Sequence, residues 1–215
     1  MNKLLYSRFV IVKDDFYPDP YKVYLTAKNA EYYEPEWVTG FRSRNVYHES
    51  GMKKKLERIL GIKITRWDTD PVEENGVFYQ GFSKGKKKEI PGVHSDEPYN
   101  DITVLIYLTP GLPYDCGTSL WQHKESGLIN PPMPADARRM KMSLADLREQ
   151  LEIDSKMRSR WHEIDRIGYR YNRMVAYPSG VLHSATNHYG ENMENGRLYQ
   201  TFRIGVDWDT LKMKD

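Results

Sequence analysis

The chain has 215 residues, 32 Lys and Arg against 30 Asp and Glu, a net charge of +2 and one cysteine. This length fits one domain with a sizeable core, and the near-neutral balance argues against general nucleic-acid binding. The lone Cys116 excludes an internal disulfide framework and suits the cytoplasm, where we expect the protein. No apolar run reaches membrane-spanning length, and residues 1–8 lack the apolar stretch and cleavage site of a signal peptide.

In chain order, residues 9–12 read as a strand. Asp19-Pro20 is a helix start, since Asp caps and Pro suits the first helical position. Val23, Tyr24 and Ala27 follow at helical spacing. Met52, Leu56, Ile59 and Leu60 mark a second amphipathic helix that Gly61 is placed to end. Residues 62–67 and 76–82 read as strands. Both helices are expected on the outside of a sheet. Lys53 to Lys55 and Lys84 to Lys88 are read as solvated surface, with a basic rim for an anionic substrate as the weaker reading.

From residue 92 the pattern is mainly β, with strands expected near 102–109, 117–122, 171–177, 181–185 and 197–206. A helical insertion is expected at about 135–167. Ser143 and Asp146 resemble a capping box, and Leu144, Leu147, Leu151, Met157, Trp161 and Ile164 recur at helical spacing. Packing onto the sheet is the preferred role, with a moving lid as the alternative. The domain reading is a single unit over 1–215, with an α/β support region at 1–75 and a barrel core at 76–215. The expected class is mainly β with flanking helices (α+β), as a double-stranded β-helix, or jelly-roll, barrel.

His94-Ser95-Asp96 carries the chemistry. Two ligands at i and i+2 on a strand share a face. A third from another strand, His183, completes the set that holds non-haem Fe(II) and leaves positions open for a co-substrate and O2. His123-Lys124-Glu125 is a rival pair, but it enters a polar, Pro-rich stretch. His162-Glu163 has no second histidine to complete a zinc-protease motif.

In the last strand, Arg197, Tyr199, Thr201 and Arg203 share one face by alternation, and Leu198, Phe202 and Ile204 share the other. Two inward arginines suit an anionic ligand; an arginine paired to a carboxylate elsewhere is the packing alternative. Tyr107 shares a face with Thr103 and Leu105. Its hydroxyl serves either the same ligand or a buried structural bond. Gln80, Phe82 and Trp121 are candidate substrate contacts and equally candidate core.

Together His94-Ser95-Asp96, Ile106-Tyr107-Leu108-Thr109, Gly117-Thr118, His183 and Arg197-Leu198-Tyr199-Gln200-Thr201-Phe202 resemble the Fe(II)/2-oxoglutarate-dependent dioxygenases, in their prolyl-hydroxylase-like branch. Phe16-Tyr17-Pro18-Asp19-Pro20, Ile167-Gly168 and Tyr171-Asn172-Arg173 are similar to an uncharacterised bacterial and phage group within that superfamily. The resemblance implies Fe(II) on His94, Asp96 and His183, with 2-oxoglutarate as co-substrate. It implies Arg197 and Tyr107 at the distal carboxylate, and Arg203 is a candidate for the nearer end. The implied activity is hydroxylation of an unactivated C–H bond with release of succinate and CO2. A peptide or amino-acid side chain and a specialised metabolite are both open as substrate, and nucleic-acid and membrane partners are not expected. The chain departs from the pattern in two long gaps, Asp96 to His183 and His183 to Arg197, and in Cys116 where glycine is common. The intact Asp96 argues against halogenation, in which Gly or Ala replaces the carboxylate. The two arginines also resemble the last strand of AlkB-type nucleobase demethylases. A non-catalytic jelly-roll binding module is the further alternative.

Overall fold

The computed structural model describes residues 9–36, 40–96 and 100–211; the leader expectation for residues 1–8 lies outside them. Strand β1 (Ile11–Lys13) leads into helix α1 (Pro20–Lys28), then β2 (Tyr32–Tyr33), β3 (Phe41–Ser43), helix α2 (Met52–Leu60), β4 (Lys63–Arg66) and β5 (Val77–Gly81). The chain continues through β6 (Ile102–Tyr107), β7 (Thr118–His123), helices α3 (Pro134–Met140) and α4 (Leu144–Asp154), β8 (Trp161–Ile167), β9 (Met174–Pro178), β10 (His183–Ala185) and β11 (Arg197–Asp207).

Local chemistry sets the helix ends. The Asp19 side chain accepts from the Lys22 backbone N–H at 3.1 Å and caps α1. Gly61 ends α2 at φ 69°, a left-handed turn in which glycine has no Cβ to clash. The Ser143 hydroxyl accepts from the Asp146 N–H at 3.0 Å and opens α4.

The strands form two antiparallel sheets. The large one runs β1-β9-β6-β11-β5-β3-β2, with β4 on the far half of β11; the small one runs β10-β7-β8. Leu105, Tyr107, Val175 and Tyr177 of the large sheet meet Leu120 and Ile167 of the small one, so the sheets pack face to face. The other face of the large sheet carries Val104, Ile106, Phe202 and Ile204 against Val23 and Ala27 of α1 and Leu56 and Leu60 of α2. A third cluster lays Ala137, Leu147 and Leu151 of α3 and α4 over Trp121 and Trp161 of the small sheet. The result is a mainly antiparallel α+β fold.

Alternation in β11 now has a consequence. Leu198, Phe202 and Ile204 bury against the helices, each worth roughly 1.5–3 kcal/mol of transfer free energy. Arg197, Tyr199, Thr201 and Arg203 are thereby turned to the side facing the small sheet. A one-residue slip would put the arginines among the helices, so the apolar face locks the register.

One expectation is corrected. The helical insertion stops at Asp154, and 161–167 is a strand. Pairing runs from Leu120↔Asp165 to Trp121↔Glu163 and skips Ile164, which marks a bulge. The extra residue turns Trp161 towards the helices and Ile167 between the sheets. A bulged strand thus spaces Trp161, Ile164 and Ile167 by three, which imitates a helix. Strands β2 and β3, at two and three residues, are too short to show alternation. Among the described residues no helix is long and apolar enough to cross a membrane.

Candidate metal centre

The segment before β6 is tied to β10. His94 N–H donates to the His183 carbonyl at 2.9 Å, and His183 N–H donates to the His94 carbonyl at 2.8 Å. Asp96 N–H donates to the Ser179 carbonyl at 2.8 Å. These bonds bring the three side chains together, with one ligand atom from each lying within 4.8 Å of the others. Asp96 and His183 are buried, while the His94 side chain is half exposed.

The donor set suits a metal. His94 Nδ1 lies 2.9 Å from the Gly92 carbonyl, and His183 Nδ1 lies 2.8 Å from the Val181 carbonyl. A carbonyl only accepts, so each Nδ1 carries the proton and each Nε2 keeps its lone pair. Those lone pairs face Asp96: His183 Nε2 lies 3.3 Å from Oδ2, and His94 Nε2 lies 3.6 Å from Oδ1. Two lone pairs and a carboxylate aimed at one point are what a divalent transition-metal ion takes. Desolvation, then the neighbouring His183, pushes the His94 pKa down to about 4 and keeps the imidazole in its ligating form. Burial opposes ionisation of Asp96, but the charge of Arg203 leads the interactions that outweigh it and hold the carboxyl well below its usual range. Thr103 Oγ1 donates to Asp96 Oδ2 at 2.6 Å and orients it.

The centre opens into a cavity of about 510 Å³ between the sheets. Arg197 and Arg203 both line it, as do Tyr199 and Thr201. Arg197 is 1% exposed. Its Nε donates to the Cys116 carbonyl at 2.6 Å and its Nη2 to the Gly117 carbonyl at 3.1 Å, and its guanidinium lies 4.5 Å from the centre of the Tyr199 ring. Among the described residues no carboxylate forms an ion pair with Arg197; two backbone carbonyls and the Tyr199 ring hold this buried cation on the cavity wall. That is a strong anion-attracting arrangement. Arg203 instead contacts Asp96 Oδ1 at 3.0 Å through Nη2.

The remaining candidates are placed as follows. Tyr107 points inward and shares a 2.7 Å hydrogen bond with Thr118 Oγ1, but Thr118 rather than Tyr107 reaches the cavity wall. Gln80 borders the cavity, yet it stands opposite Leu198 in register, on the helix side of β5. Phe82 packs on Phe41 at 5.5 Å, and Trp121 donates to Ser184 Oγ at 2.9 Å beneath Arg158. Neither lines the cavity: Phe82 packs on Phe41, and Trp121 belongs to the cluster under α3 and α4. The rival His123 is a structural clip: it bonds Ser126 Oγ at 2.8 Å and Asp154 at 3.0 Å, all three buried, while Glu125 faces solvent.

Arg42, Glu74, Tyr79, His188 and Glu89 were not legible in the sequence as parts of this region. Arg42 Nε donates to Glu74 at 2.6 Å and to the Tyr79 hydroxyl at 2.7 Å. Glu74 lies 2.8 Å from Arg203. His188 lines the cavity with its Nε2 3.7 Å from Glu89, and burial pushes its pKa down to about 3. The available signal was Gly81, where a Cβ would come within 2.5 Å of the His188 ring.

Comparison with known proteins adds two findings. A family model described as a family of unknown function (DUF6445) matches residues 85–203, a span that holds the whole triad and both arginines. The fold is similar to that of HygX from Streptomyces hygroscopicus, crystallised with nickel and 2-oxoglutarate bound. That alignment has a TM-score of 0.50 and 13% identity, and covers 97% of this chain and 88% of HygX. No curated protein matches the sequence.

Proposed function

We propose that this chain, which belongs to the DUF6445 family, is an Fe(II)- and 2-oxoglutarate-dependent oxygenase built on a double-stranded β-helix. The observation that carries this reading is the cavity itself, in which two Nε2 lone pairs and a carboxylate converge near a buried arginine that has no carboxylate partner among the described residues. The shared fold with HygX supports it.

His94, Asp96 and His183 would hold the iron. Bound iron supplies oxidising chemistry in which 2-oxoglutarate becomes succinate and CO2 and an oxygen atom passes to a substrate C–H bond. Arg197 would pair with the distal carboxylate of the co-substrate, and the Thr118 hydroxyl, held from behind by its hydrogen bond with Tyr107, would complete the pocket. Arg203 neutralises Asp96 and stands at the nearer end. The Tyr177 ring packs 4.6 Å from the His183 ring and shields that ligand from water. The intact carboxylate of Asp96 favours hydroxylation over halogenation.

The substrate is a small molecule or a peptide side chain that enters beside the half-exposed His94. The whole chain acts as one catalytic domain. Purified protein supplied with Fe(II), O2 and 2-oxoglutarate should form succinate, and Arg197→Met should lose that turnover. Equal turnover in the variant would contradict the assignment. The placement of both β11 arginines, Arg197 and Arg203, on the cavity wall also fits an AlkB-type nucleobase demethylase. Stimulation of succinate formation by methylated oligonucleotides would select that reading instead.

A further inference from the structure

Two carboxylates meet at one nitrogen of Arg203. Its Nη2 lies 2.8 Å from Glu74 Oε2 and 3.0 Å from Asp96 Oδ1, while its Nε is buried without a partner. The second oxygen of Glu74 accepts from Arg42 Nε at 2.6 Å and from the Tyr79 hydroxyl. Arg42, Glu74, Arg203 and Asp96 therefore form a row of alternating charge that ends on the metal-ligand carboxylate. Glu74 takes up its place from a turn at φ 51°, a conformation that non-glycine residues rarely adopt, so surrounding contacts hold it there.

A guanidinium bonded to Asp96 Oδ1 competes with a metal for that oxygen's electrons, and its charge repels the cation. An opposing carboxylate on the same nitrogen weakens both effects. We propose that Glu74 is a positioning residue that shares the Arg203 nitrogen with Asp96, weakens the guanidinium's hold on that oxygen and so keeps Asp96 available as a ligand. Glu74 touches neither the ligand atoms nor the reacting groups; it acts through Arg203. The inference rests on the metal-centre reading.

The test is a double-mutant cycle read by Ni(II) affinity in calorimetry, which needs no turnover. Glu74→Gln keeps the shape of the side chain and removes its charge. It should weaken Ni(II) binding by about tenfold, within the range found for partners of metal ligands. In an Arg203→Gln background the same change should have less than about a twofold effect, because the competitor is gone. Tyr79→Phe, which removes one support of Glu74, should weaken binding in the same direction and by less. Glu74→Gln without effect, or with the same loss in both backgrounds, would overturn the inference. Wild-type protein that binds no Ni(II) would overturn the metal-centre reading and this inference with it.

Discussion

His94 and His183 lie far apart in sequence yet exchange both of their backbone hydrogen bonds, at 2.9 and 2.8 Å. The bridge joins His94, which lies in no strand, to the first residue of β10 and makes the first ligand depend on the strand of the third. The rigidity of β10 therefore sets the geometry of the centre. That short strand pairs with β7 and is also braced by side chains. Arg158 donates to Ser184 Oγ at 3.1 Å and to the carbonyls of Ala185 and Thr186 at 3.0 and 3.2 Å.

Replacing Arg158 tests that brace. Arg158→Met keeps the packing over Trp121 and removes the donors. The Thr186 carbonyl then loses the Arg158 donor and the Ala185 carbonyl keeps only Ser184 Oγ, at a cost of about 1–3 kcal/mol. Urea denaturation should show that loss, and Ni(II) affinity should fall as well. An unchanged denaturation midpoint together with unchanged affinity would show that Arg158 does not brace His183.

Gly117→Ala tests how the arginine pocket is built. A Cβ at Gly117 would lie 2.0 Å from the Ile167 carbonyl oxygen, which is backbone in the paired strand and cannot swing away. The carbonyls of Cys116 and Gly117 hold Arg197. The substitution should destabilise the fold by about 1–3 kcal/mol and weaken 2-oxoglutarate binding more than Ni(II) binding. Equal loss of both ligands would argue for general unfolding instead.

Much of this was legible in the sequence because strands have a period of two. Leu198, Phe202 and Ile204 against Arg197, Tyr199, Thr201 and Arg203 told which side of β11 is apolar; His94 and Asp96, expected on a strand, instead lie in an irregular segment that an isolated bridge joins to His183. Where the period breaks, legibility ended. The bulge at Ile164 imitated a helix. Arg42 stands on a three-residue strand and Glu74 in a turn, and neither position carries a repeat to read. Phe82 and Trp121 looked equally suited to a pocket and to packing, because an aromatic ring satisfies both; only the three-dimensional neighbours decide.

Acid sensitivity follows from His188. Its folded pKa is about 3 against an ordinary 6.5, through burial. Between those values the unfolded chain binds the proton and the folded chain does not, so stability falls as pH drops from 6.5 towards 3. Urea midpoints measured near pH 7 and pH 5 should therefore differ more in wild type than in His188→Gln, which cannot protonate. An identical pH slope in the two proteins would mean that His188 is not buried in its neutral form.

The most direct test of the central claim is an anaerobic titration of metal-free protein with Fe(II) and 2-oxoglutarate, followed by visible absorption, with His94→Ala as control. The account predicts a charge-transfer band that needs both additions and is absent from the folded variant. Folded wild-type protein that gives no such band would contradict it, and would make the triad a structural feature of a binding module.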